Sequence, residues 1–81
     1  MELSQALATR IIQLLNLNDW SGYKLSGQGA IPNSTISNIL LAKCKSCTLL
    51  TVLNICRGFG IELSEFFNSD LLRLENLLDN D

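Results

Sequence analysis

The chain contains no histidine. That absence removes the commonest general base, the Ser-His and Cys-His nucleophile pairs and the usual nitrogen ligand of zinc, so neither an enzyme nor a cofactor is expected. Charge is sparse as well. Asp, Glu, Lys and Arg make up 17% of the 81 residues against 47% hydrophobic, a balance that excludes disorder and predicts a packed core. The longest apolar runs, such as Ile39 to Ala42, fall far short of the roughly 18 residues of a membrane-spanning helix, so no membrane partner is expected. Glu2, Ser4, Gln5, Thr9 and Arg10 interrupt the first apolar residues and leave no signal-peptide pattern. The cysteines number three, an odd count that fits a reduced interior better than a disulfide framework, and the expected compartment is the cytoplasm. Without secretion, the glycosylation pattern Asn33-Ser34-Thr35 carries no meaning. A chain this short forms one small domain that buries only about 60% of its unfolded surface, so an oligomer interface is expected to contribute to its stability.

What is present is helical periodicity. Leu3, Leu7, Ile11, Leu14 and Leu15 recur at three- and four-residue intervals, which predicts a helix from about Ser4 to Asn16. Ser21 is placed to cap a short second helix carrying Tyr23, Lys24 and Leu25, and with Gly22, Gly27 and Gly29 in or beside it that helix must be held by packing. Pro32 suits the first turn of a third helix over about Asn33 to Ala42, with Ile36, Ile39 and Leu40 as its apolar stripe and an almost uncharged polar face. Thr48 caps a fourth helix in which Leu49, Val52, Leu53, Cys56 and Phe59 keep the spacing, and Gly60 stops it. Ser64 is placed to cap a fifth around Phe66 and Phe67, and a last helix is expected over Asp70 to Leu78. Trp20, Tyr23, Phe59, Phe66 and Phe67 fall at core-like positions. No alternating run bounded by hairpin signals occurs, so the expected fold is all-α.

The charges are unevenly spread. Residues 1–60 hold Arg10, Lys24, Lys43, Lys45 and Arg57 against Glu2 and Asp19, whereas residues 61–81 hold Arg73 against Glu62, Glu65, Asp70, Glu75, Asp79 and Asp81. The first part can face a polyanion although the net charge is −2. Cys44-Lys45-Ser46-Cys47 has the CxxC spacing of zinc and dithiol sites, but with no histidine and no βαβ pattern it reads as loop composition. No Gly-rich phosphate loop and no hydrolytic carboxylate pair emerges.

The succession Trp20-Ser21-Gly22-Tyr23-Lys24-Leu25, Ile31-Pro32-Asn33-Ser34-Thr35-Ile36-Ser37-Asn38-Ile39-Leu40, Thr48-Leu49 and Gly60-Ile61-Glu62-Leu63-Ser64-Glu65-Phe66-Phe67 resembles the Cro/repressor-type helix-turn-helix transcriptional regulators. The likeness spans about residues 6–67. It implies a five-helix DNA-binding domain, to which this chain adds a short C-terminal helix, and a repressor acting by promoter occlusion. Residues 1–68 would then form the DNA-binding domain, and 69–81 a C-terminal helix and acidic tail available for dimerisation. A helix entering the major groove needs amide and hydroxyl groups in its first turns, and Asn33, Ser34 and Asn38 supply them. Asn33 and Asn38 can each bond an adenine edge in two places, while Thr35 and Ser37 suit bases or phosphates; the alternative role for Asn33 and Ser34 is to cap the helix. The resemblance implies that Ser21, Gly22, Lys43 and Lys45 hold the DNA backbone.

This sequence departs from the family where Ala30 replaces a residue that is usually Gly, which predicts a shifted or strained turn, and where Leu15 and Leu40 stand in place of an Arg–Glu pair. Leu71, Leu72, Leu74, Leu77 and Leu78 give the last helix an apolar stripe broad enough to dock on its own domain or on a second copy. The second is the expectation: a homodimer on double-stranded DNA. The competing reading is a helical protein-interaction module.

Overall fold

The computed structural model describes residues 1–43 and 47–78. Among these the fold is all-α, with five helices: α1 (Leu3–Asn18), α2 (Gly22–Gly29), α3 (Asn33–Leu40), α4 (Leu49–Phe59) and α5 (Leu63–Phe67). Ser21 and Thr48 cap α2 and α4 as expected, accepting from the Lys24 and Thr51 backbone N–H groups at 3.1 and 3.2 Å. Helix α5 begins two residues earlier than Ser64 suggests. Its N-cap is Glu62, whose extended backbone leaves Ser64 inside the helix.

Four successive helices stop in the same way, with one left-handed residue followed by an N–H bonded back to the carbonyl five residues earlier, which satisfies the last carbonyls of each helix. The left-handed residues are Asp19, Ala30, Ala42 and Gly60, at φ 55, 52, 57 and 73°. The back-bonds run from Trp20 to Leu15, Ile31 to Ser26, Lys43 to Asn38 and Ile61 to Cys56, at 2.9 to 3.0 Å. Helix α3 therefore ends at Leu40, with Ala42 as its terminator and no longer part of it. The turn at Ala30 is strained and not shifted: Ala takes the glycine conformation, and the Ser26 hydroxyl donates to the Ile31 carbonyl across it.

The core is assembled from Ile11, Leu14 and Leu15 of α1, Leu25, Ile31, Ile36 and Ile39 of the α2–α3 unit, Val52, Ile55 and Cys56 of α4, and Phe66 of α5. Burial pushes the Cys56 thiol upward in pKa, and the Arg10 charge offsets only part of that. Leu15 is buried and Leu40 packs against the same cluster, so both leucines belong to the apolar core region. Helix α2 packs most extensively on α4. The two backbones approach closely because glycines line the contact: a Cβ on Gly29 would lie 2.8 Å from the Asn54 carbonyl oxygen, and one on Gly58 3.1 Å from the Gly29 nitrogen. At the other end of α2, a Cβ on Gly22 would meet Leu40 and Ile36 of α3 at 3.2 and 3.3 Å. Trp20 stacks on Phe59 at 5.4 Å between ring centroids and closes the corner between α1 and α4.

The single α-helix expected over 70–78 is instead two 3-10 turns, Asp70–Leu72 and Leu74–Asn76, separated by an extended Arg73. So short a segment gains little from propensity, and its shape follows the surface it lies on. Leu72 packs against the core, the first turn rests on α1, and the Leu78 N–H donates to the Met1 carbonyl at 2.9 Å. Two aromatic expectations are also corrected. Tyr23 is 78% exposed and Phe67 43% exposed, the latter set edge-on to the buried Phe66. Among the described residues no helix is long and apolar enough to cross a membrane.

Candidate nucleic-acid interface

Pro32, at the N-cap of α3, has no side-chain bond to offer, and no side chain caps that helix. Its carbonyl accepts from the Thr35 and Ile36 N–H groups at 3.0 and 3.2 Å, so the first turn closes through backbone alone. Asn33 and Ser34 are accordingly free of the capping role. With Ile36 and Ile39 in the core, the opposite side of α3 presents Asn33, Ser34, Ser37 and Asn38, all exposed, and the row continues into exposed Leu41. At 3.6 residues per turn these five occupy a sector of roughly 140°, Asn33 at one edge and Asn38 at the other. None of the four polar side chains is engaged by another described residue. Thr35 is half-buried and sits toward the core side, so the structure separates it from that row.

The remaining expected residues lie on either flank. Ser21 is exposed at the start of α2, and its oxygen accepts the Lys24 N–H while its hydroxyl proton stays available. Gly22 is half-buried against α3, and its lack of a side chain serves that contact. Lys43 is exposed just past α3, at the residue that donates back to Asn38. Lys45 and Cys44 lie outside the described residues.

Electrostatics divides the molecule. The first turns of α2, α3 and α4 hold no acidic residue, whereas α5 and both 3-10 turns carry Glu65, Asp70 and Glu75 there. The partial positive charge at the starts of α2, α3 and α4 is thus left unneutralised by their own side chains. Arg10 is half-buried and engaged with backbone. Its guanidinium donates to the Phe66 and Glu65 carbonyls, both at 2.8 Å, fastening α1 to the C-terminal end of α5.

Two residues that the sequence did not assign to the interface have exposed side chains. Tyr23 stands about 200° around α2 from the buried Leu25, a spacing that predicts its exposure once Leu25 is known to be the inward residue. Lys24 places its Nζ 5.7 Å from the Trp20 ring centroid, which holds its charge beside the start of α2. Comparison with family models, curated proteins and solved structures finds no match to the chain.

Proposed function

We propose that the chain is a sequence-specific regulator of transcription that binds double-stranded DNA in the manner of the Cro/repressor-type helix-turn-helix proteins, in the cytoplasm, as a repressor occluding a promoter. The observation that carries this reading is the exposed row Asn33, Ser34, Ser37 and Asn38, unengaged within the molecule and mounted on a helix whose other side is the core. Amides and hydroxyls at that spacing match base edges in a major groove, and Ser21, Lys24 and Lys43 supply flanking contacts for phosphates. The carboxylates of residues 62–75 suit a surface turned away from the duplex. A homodimer would add the second half-site contact that one weakly charged domain needs.

A helical protein-interaction module is the second reading, favoured by Leu41 just past α3 and Leu49 and Leu50 at the start of α4, which are 63, 65 and 63% exposed. Binding to a pool of random duplexes, followed by enrichment, separates the two. A DNA reader retains a subset of duplexes at salt that releases the bulk. Lys43→Ala then weakens every duplex alike and reduces the salt slope by about one, while Asn33→Ala and Asn38→Ala relax preference at particular base pairs. Retention of no duplex above the pool would leave the interaction module.

A further inference from the structure

We infer that the base pairs read by α3 are A·T pairs, with Asn33 and Asn38 each taking one adenine; this rests on the DNA-binding function proposed above. Helix α3 spans Asn33–Leu40 and contains no Arg, Lys, Asp or Glu. Guanine is most often read by Arg or Lys donating to O6 and N7, and cytosine by a carboxylate accepting from N4, so the helix holds neither kind of partner. An Asn side chain offers one donor and one acceptor in the geometry of adenine N7 and N6, and two such side chains are present and unengaged. Ser34 and Ser37 accept any base. The exposed Leu41 at the end of the row offers only apolar contact, which suits a thymine methyl group.

The placement of the two asparagines makes them separate readers. They stand five residues apart, which is about 7.5 Å along the helix axis and about 140° around it. They therefore flank the row on opposite edges and would address two different base pairs about two steps apart. Among the described residues, Lys24 lies on α2 and Lys43 beyond the end of α3, so neither belongs to the row itself.

The test is the base identity of duplexes enriched by the full chain, followed by single substitutions of 7-deazaadenine, which removes N7 without touching the protein. The expected result is two fixed A·T pairs in each half-site. Deaza substitution at either adenine should weaken wild-type binding by about five- to a hundredfold, and should cost Asn33→Ala nothing at one of the two positions and Asn38→Ala nothing at the other. A fixed G·C pair at the positions α3 protects would overturn the inference and leave DNA binding standing. Fixed A·T pairs insensitive to the deaza substitution would overturn the asparagine assignment in favour of readout through duplex shape. Enrichment of no duplex would overturn this inference together with the function on which it rests.

Discussion

Ala30, in the turn between α2 and α3, holds a conformation that its Cβ disfavours, φ 52 and ψ 44°. A left-handed Ala costs about 1–2 kcal/mol, and a Gly in its place forfeits about 0.5–1 kcal/mol to the freer unfolded chain. Ala30→Gly should therefore stabilise the protein by about 0.5–1 kcal/mol, read as a higher urea midpoint at unchanged slope; a lower midpoint would show that the methyl group is packed. Arg10 is the opposite case, a side chain whose worth lies in its partners. Arg10→Met keeps the stem and removes two charged bonds to α5, so a loss of about 2 kcal/mol is expected in the same titration. The capping roles of Ser21, Thr48 and Gly60 were legible because cap chemistry is written within four residues. The role of Arg10 was not, because its acceptors lie 55 and 56 residues away and are backbone atoms that no side-chain pattern announces.

Helices α2 and α4 approach through missing side chains. A methyl group on Gly29 meets a backbone oxygen at 2.8 Å that cannot swing aside, whereas one on Gly27 meets nothing within 4 Å. Gly29→Ala should thus cost about 1–3 kcal/mol by overpacking, while Gly27→Ala should gain up to about 1 kcal/mol from helix propensity. Thermal unfolding of the two variants checks the pair, and equal effects would mean that α2 does not lie this close to α4. Helix existence and facing were readable from the recurrence of Leu, Ile and Val, since a 3.6-residue period is a local signal. Three ends or faces were not. Ala42 reads as a helix former until its left-handed angle is known, Tyr23 reads as apolar until Leu25 fixes which side of α2 is inward, and 70–78 has the leucines of a helix but is shaped by α1. Of the α3 side chains named from sequence, Asn33, Ser34, Ser37 and Asn38 are exposed and Thr35 is half-buried, because exposure there follows directly from burial of Ile36 and Ile39; Leu41 was not foreseen.

At the scale of the whole molecule, the C-terminal segment divides its leucines. Leu71, Leu72 and Leu77 are half-buried, while Leu74 and Leu78 stay 90 and 56% exposed, beside Leu3 and Met1 at 43 and 44%. Docking of that segment on its own domain, the alternative to the expected homodimer, thus leaves other side chains free for a second copy. A groove of about 420 Å³ lined by Leu3, Leu74, Leu77 and Leu78 marks the face that a dimer would use. If it does, the full chain sediments as a dimer at tens of micromolar and Leu74→Glu sediments as a monomer with an unchanged helical spectrum. A monomeric wild type, or a dimeric Leu74→Glu, would place any self-association elsewhere. The contact of α2 with α4 has a kinetic meaning too. Since glycines bring these two backbones together and α3 packs on α2, a ligand is expected to meet α3 already in its bound shape. Association should then be a single encounter step whose observed rate climbs in proportion to ligand concentration and reaches no plateau set by prior rearrangement.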